Sequence, residues 1–245
     1  MKVIIIAVII AAAVLIYFLL PEIYAFRGLL AYEKQGAEEA LKLYEKAYKT
    51  KRSSVKVQIR YALLNLKNGA PDKAEKLFNE IILSPKIPEN KKNAAKQYRC
   101  MAYIKQGKAK EAQESAEELL EKYKTSDLYA IVGYCMILNE DERLLDFCRE
   151  AYEYNSDNRD IADNYAVALT NSGDFDGAIK ICDDVISENK YFPEGHYHKA
   201  AALIKKGEKE EALKELDALE DCEFKYLTTV SEEDAENLRR EAERK

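Results

Sequence analysis

Two histidines, five cysteines and 44 carboxylates are the side chains in this 245-residue chain that could do chemistry. His196 and His198 are two residues apart, so on a helix of 3.6 residues per turn they point to different faces and cannot jointly hold a metal. Cys100, Cys135, Cys148, Cys182 and Cys222 are separated by 35, 13, 34 and 40 residues with no Cys-x-x-Cys. Those intervals follow a repeat and not a zinc site. Gly173-Asp-Phe-Asp-Gly177 lacks the Lys-Ser/Thr that completes a phosphate-binding loop, and reads as a turn between two helices. Acidic pairs fall on solvated helix faces, where nothing raises one pKa above the other. No nucleophile–base arrangement emerges. The expectation is a chain that is not an enzyme, with no catalytic residue, no metal, no cofactor and no small-molecule substrate.

The same glycine-led grammar recurs along the chain. Gly173 is followed five residues later by Ala178, then by Cys182 and Val185 at helical packing distances. Gly207…Ala212…Leu216…Leu219, Gly69…Ala74…Phe78…Ile81 and Gly107…Ala112…Ala116…Leu119 repeat it, and Gly36…Ala40…Tyr44…Ala47 is one residue shorter. A small residue lies seven positions before most of these glycines: Ala62, Cys100, Ala166 and Ala200. Each unit therefore reads as a helix, a tight glycine turn and an antiparallel second helix, crossing where small side chains let the backbones approach. The signal alanines 40, 74, 112, 178 and 212 are 34, 38, 66 and 34 apart, and a degenerate copy around Leu144 divides the long gap. One hairpin cannot bury its apolar face alone, so neighbours must stack.

This pattern resembles the tetratricopeptide repeat (TPR), whose 34-residue period, small residue on helix A, Gly turn and helix-B alanines it shares. The resemblance implies an all-α, TPR-like α-solenoid of about six helix-turn-helix repeats over residues 22–222, followed by a capping helix over 223–245. Tyr24, Gln58, Lys96, Leu128, Ala162 and His196 stand where the family usually has its first aromatic, and the fourth unit lacks both the Gly and the Ala. The 38-residue interval is explained by Ser84–Asn93, whose Pro85 and Pro88 break any continuous helix.

Ahead of the repeats, residues 1–21 read as a transmembrane anchor. Val3–Leu20 is an apolar run without a charge or a glycine, roughly 27 Å long as a helix and enough for a bilayer core. A cleaved signal peptide is the alternative, but Leu-Leu-Pro21-Glu22 is a poor cleavage context. Pro21 suits the first turn of a new helix starting at Glu22, which would place the array directly at the membrane surface. Lys2 against Arg27 and Lys34 leaves orientation nearly balanced. Lys42, Lys46, Lys49, Lys51, Arg52 and Lys56 would face an anionic inner leaflet, and cysteines at packing positions suit reduced thiols, so a cytoplasmic array is expected, with a signal anchor and an external array as the alternative. The net charge of −6 argues against nucleic acid as a partner.

What remains is a surface. The family resemblance implies that the A helices line a groove for protein or peptide segments. The candidate lining is Ile59 and Leu63, then Gln97, Met101 and Ile104, then Tyr129 and Met136, then Asp163, Val167 and Thr170, and last Tyr197 and Ile204. The basic carboxylate clamp of chaperone-tail-binding members is not expected, because its Lys and Asn positions hold Ala25 and Leu29 or Ile59 and Leu63. Two readings follow. One is a membrane-tethered scaffold similar to bacterial single-span TPR proteins of envelope or secretion assembly. The other is an accessory subunit of a membrane enzyme or transport complex whose anchor packs on partner helices.

Overall fold

The computed structural model describes residues 2–244, with side chains from residue 4 onward. It contains thirteen α-helices and no strand among the described residues. These are α1 (Lys2–Gln35), α2 (Ala37–Lys49), α3 (Val55–Lys67), α4 (Pro71–Leu83), α5 (Asn93–Lys105), α6 (Ala109–Lys122), α7 (Ser126–Leu138), α8 (Leu144–Tyr154), α9 (Arg159–Ser172), α10 (Phe175–Glu188), α11 (Pro193–Lys206), α12 (Lys209–Ala218) and α13 (Glu232–Glu243). The chain forms two compact units, Met1–Ala102 and Tyr103–Lys245. In the first, α1 packs on α2, α2 on α3 and α3 on α4. In the second, each helix from α6 to α13 packs on the next, and α9 also packs on both α7 and α11. Within the second unit that alternation is the mark of stacked hairpins; along the chain the helices follow one another as six hairpins, counting the second half of α1 with α2.

The hairpin turns share one hydrogen-bond signature. The N–H of residue 36, 70, 108, 141, 174 or 208 donates to the carbonyl five residues earlier, at 2.9–3.0 Å. In the last five turns this is the bond that closes a helix C-terminus through a left-handed residue, whereas in the first the donor is Gly36 itself, at φ 91°. In the second, third, fifth and sixth hairpins the left-handed residue is Gly69, Gly107, Gly173 or Gly207, with φ between 75° and 94°. The fourth hairpin, which carries no glycine signal, makes the same turn with Glu140 at φ 52°. A left-handed residue with a Cβ is strained by roughly 1–2 kcal/mol, partly offset in a Gly variant by greater unfolded-state entropy. Glu140→Gly should therefore stabilise the protein by about 0.5–1 kcal/mol. A thermal midpoint that stays level or falls would contradict this.

The crossing positions hold to the same register. Ala62, Cys100, Ala166 and Ala200 are at most 1% exposed. Gly133, seven residues before Glu140, takes the position in the fourth hairpin, and Gly28 does so in the first. A Cβ on Gly28 would meet the Tyr44 ring at 2.9 Å, and one on Gly133 would meet the Asn164 side-chain nitrogen at 3.0 Å. That nitrogen is already committed, donating to the Ala130 carbonyl at 2.8 Å inside the α7–α9 contact.

At the amino end, Pro21 does not open a new helix. It lies inside α1, which runs unbroken from the apolar stretch into the first hairpin. Burial begins there: Pro21, Ala25, Gly28 and Ala31 are buried at helical spacing, while the large apolar residues from Ile4 to Leu19 are exposed. A proline within a helix leaves the carbonyl four residues earlier without its N–H donor. That carbonyl belongs to Tyr17, and Arg52 Nη2 donates to it at 3.3 Å while the guanidinium stacks 3.6 Å from the Tyr17 ring centre. One turn on, Glu22 Oε1 accepts from the Ser54 N–H at 3.3 Å. The α2–α3 turn thus grips α1 on both sides of the proline, so that one braced, continuous helix stands where a helix start at Glu22 was expected.

Candidate functional site

In the second unit, the first helices of the third, fourth and sixth hairpins contact a stretch of the chain itself. Residues 222–231 link the short turn after α12 to α13 and run across these helices without helical structure of their own. Lys105 Nζ, at the end of α5, donates to the Thr228 carbonyl at 2.9 Å. Tyr134 Oη on α7 donates to the next carbonyl, that of Thr229, at 3.4 Å. Glu194 Oε1 on α11 accepts from the Thr229 N–H at 2.9 Å and from its hydroxyl at 3.4 Å. Three hairpins therefore converge on two consecutive residues.

The electrostatics suit those roles. Burial pushes the Tyr134 hydroxyl up to about 12, so it remains a donor at any physiological pH. Burial also raises the Glu194 carboxyl, against the Thr229 N–H that favours its charge. Lys105 is lowered by burial, with the Glu194 carboxylate opposing.

The expected lining residues take several positions. Ile59 and Leu63 are half-buried, four apart on α3, in the first unit. Met101 and Ile104 are half-buried on α5, where Ile104 immediately precedes Lys105. Asp163 is buried on α9, its Oδ1 2.6 Å from His198 Nδ1 on α11. Tyr197 and Ile204 pack against the cluster that α13 closes with Leu238 and Ala242. Burial, followed by the α13 carboxylates Asp234 and Glu241, raises the Tyr197 hydroxyl pKa.

Tyr129 and Met136 lie apart from the crossing segment's contacts. Both are buried and line a cleft of about 260 Å³ with Leu120, Lys124, Arg143 and Phe147, contributed by α6, the α6–α7 linker, the α7–α8 turn and α8. The Tyr129 ring packs on Phe147 and Tyr154, and its hydroxyl donates to Glu150 at 3.0 Å. Tyr134 is 5 residues from Tyr129 and 2 from Met136, rotations of about 140° and 200° at 100° per residue. The α7 residue that meets the crossing segment is therefore Tyr134. In the other hairpins the expected lining residues fall 10, 6 or 3 positions before the left-handed turn residue, as with Gln97, Met101 and Ile104 before Gly107. Counting back from Glu140 gives Ala130, Tyr134 and Ile137, so the missing glycine shifted the register.

Tetratricopeptide-repeat family models match this chain over residues 27–90, 101–126 and 169–228. The chain is a TPR protein. Among solved structures, a TPR protein from Parabacteroides merdae is 12% identical, with a TM-score of 0.63 over 91% of this chain and 98% of that one. TTC0263, a thermophilic TPR protein of Thermus thermophilus, is 16% identical, with a TM-score of 0.60 over 77% and 98%. YrrB, described as a TPR protein with an unusual peptide-binding site, is 18% identical, with a TM-score of 0.50 over 80% and 97%. At these identities the likeness is one of fold. No curated protein matches the chain.

Within the TPR array, the side chains considered first for chemistry serve packing and structural pairing. Cys100, Cys135, Cys148 and Cys182 are buried at helix contacts. Burial lifts the Cys100 thiol to about 11 and the Cys148 thiol to about 12, well away from a reactive thiolate. The two histidines diverge: His198 meets Asp163, whereas His196 places Nδ1 2.7 Å from Glu215 and Nε2 3.0 Å from the Lys190 carbonyl. Both His196 nitrogens face acceptors, which favours the imidazolium. Asp174 Oδ1 caps α10 by accepting from the Gly177 N–H at 3.0 Å, so Gly173–Gly177 is a helix turn.

Proposed function

We propose that this TPR protein is a membrane-tethered scaffold that holds extended polypeptide segments on the face formed by its first helices, with no catalysis of its own. The observation that carries the tether is α1. Its apolar residues are solvent-exposed all round, and an 18-residue window in it reaches a mean hydropathy of 3.0 with 6% buried. A water-soluble helix would turn at least one such face into the core. The Arg52 and Glu22 contacts support an array held against the bilayer, since they grip α1 where its apolar part ends. Lys49 at the end of α2 and Lys51 and Arg52 on that same turn favour an anionic leaflet, and the free cysteines suit a reducing compartment, so we place the array on the cytoplasmic side. For the polypeptide face, the segment lying across Lys105, Tyr134 and Glu194 is the support within this chain, and YrrB is a precedent on the same fold.

The full chain should sediment with membranes and resist alkaline carbonate. Ile10→Arg with Val14→Arg should release it, because each arginine near the centre of a span costs about 2.5–3.5 kcal/mol. Carbonate extraction of the unaltered chain, or an intact mass lacking the first twenty or so residues, would refute the tether.

A further inference from the structure

We propose that residues 222–231 are a built-in occupant of a peptide groove, and that the groove's external ligand is an extended polypeptide offering the same polar groups. Those groups are one main-chain carbonyl for Lys105, the next carbonyl for Tyr134, and a main-chain N–H beside a Ser or Thr hydroxyl for Glu194. This rests on the reading of the array as a polypeptide scaffold, and it names the ligand class and its competitor.

The chemistry of the contacts defines the class. Three of the four hydrogen bonds address main-chain groups, so they select an extended conformation and tolerate most side chains. Of these hydrogen bonds, only the Glu194–Thr229 hydroxyl contact reads a side chain. The segment makes little internal structure: a turn in which the Thr228 N–H donates to the Lys225 carbonyl, closed by the Thr228 hydroxyl accepting from the Lys225 N–H. It therefore lies on the groove in the way a bound peptide would.

The packing shows why its middle can leave. Phe224 packs against the α11–α12–α13 cluster at one end, and Val230 is buried at the other, next to the Ser231–Asp234 capping box that starts α13. Leu219, Leu238 and Ala242 hold α13 in place independently of the groove contacts. Between these anchors, Lys225 and Tyr226 are exposed, and Tyr226 touches the groove through its ring 5.5 Å from Lys105 Nζ. The segment can lift from the groove while α12 and α13 stay folded. A tethered occupant competes at an effective concentration in the millimolar range, and it weakens an external ligand by the fraction of molecules whose groove is open.

The test uses the full chain in detergent micelles and a fluorescent peptide copying Glu223–Ser231. Thr229→Pro removes both the N–H and the hydroxyl that Glu194 holds, so this variant should bind the peptide about tenfold or more tightly than the unaltered chain. Adding Glu194→Ala to that variant should abolish the gain. Hydrogen exchange on the unaltered chain needs no variant: saturating peptide should accelerate exchange at the Thr229 amide and leave α12 unchanged. Equal affinity with and without Thr229→Pro, a gain that survives Glu194→Ala, or unmoved Thr229 exchange would each overturn the proposal. An array of unrelated nine-residue peptides separates the two readings. If some bind the unaltered chain while the copy peptide fails these tests, the scaffold reading stands and this inference falls; if neither protein binds any peptide, both fall.

Discussion

Replacing Phe78 with Ala will lower the stability of the protein by about 3–5 kcal/mol, the cost of deleting an aromatic ring from a core that closes only partly around the void. Phe78 is fully buried on α4, where Ala74, Leu77 and Ile81 share its inward face. Its ring stacks on Tyr98 of α5, centroids 6.2 Å apart. It therefore joins its own hairpin to the next. In a stacked array each hairpin depends on its neighbours for burial, so the loss should concentrate in α3, α4 and the start of α5. Thermal unfolding of the full chain in detergent measures the total, and hydrogen exchange shows where it falls. A loss below about 1 kcal/mol would mean that α4 does not pack as described.

Glu215→Ala should cost about 2–4 kcal/mol near pH 6, somewhat under the figure for breaking a fully buried ion pair because the site is slightly open to water. Glu215 accepts from His196 Nδ1 at 2.7 Å and from Lys199 Nζ at 2.6 Å, and Lys199 also pairs with Asp183 at 2.6 Å. The hydrogen bond to Glu215 raises the His196 pKa above its ordinary 6.5, with burial opposing. Burial raises the Glu215 carboxyl, but His196 and Lys199 outweigh it and hold the pKa below 4.5. The signs give a window. The His196 contribution is complete below the ordinary imidazole value and is lost as pH rises through its raised native value. The Glu215 contribution is complete above the ordinary carboxylate value and is lost as pH falls through its depressed native value. Stability from this pair should therefore be greatest between about pH 4.5 and 6.5. His198 beside Asp163 is raised in the same direction, since that carboxylate outweighs its burial. Unaltered protein should thus lose more stability between pH 5.5 and 8.5 than Glu215→Ala does; equal losses would remove His196–Glu215 as the cause.

The hairpin period was legible in the sequence because its determinants are local. A residue at positive φ selects glycine, a close helix crossing selects a small side chain, and both recur at fixed distances along the chain. The apolar run before Leu20 was legible for the same kind of reason: length and composition suffice. The turn of the fourth hairpin was not, although the unit itself was placed around Leu144, because Glu140 adopts the left-handed conformation without the residue that usually announces it. Hydrogen bonds from Gln113 of α6 to Asp141 and from Asn139 to Gln113 hold that turn in place, and without the glycine the register that singles out Tyr134 was not visible. Pro21 misled in a similar way. Locally it signals a helix start, yet α1 continues through it, with a guanidinium thirty-five residues away serving the carbonyl that the proline strands.

The crossing segment had no local signature at all. Its partners Lys105 and Tyr134 lie 123 and 95 residues from the carbonyls they hold, and nothing periodic joins them. By itself the sequence determined the repeating hairpins, their small-residue crossings and the apolar run, all written in spacings shorter than one repeat. Only the tertiary structure decided the braced α1 and the contents of the groove, because those depend on groups that meet in space after the hairpins have stacked.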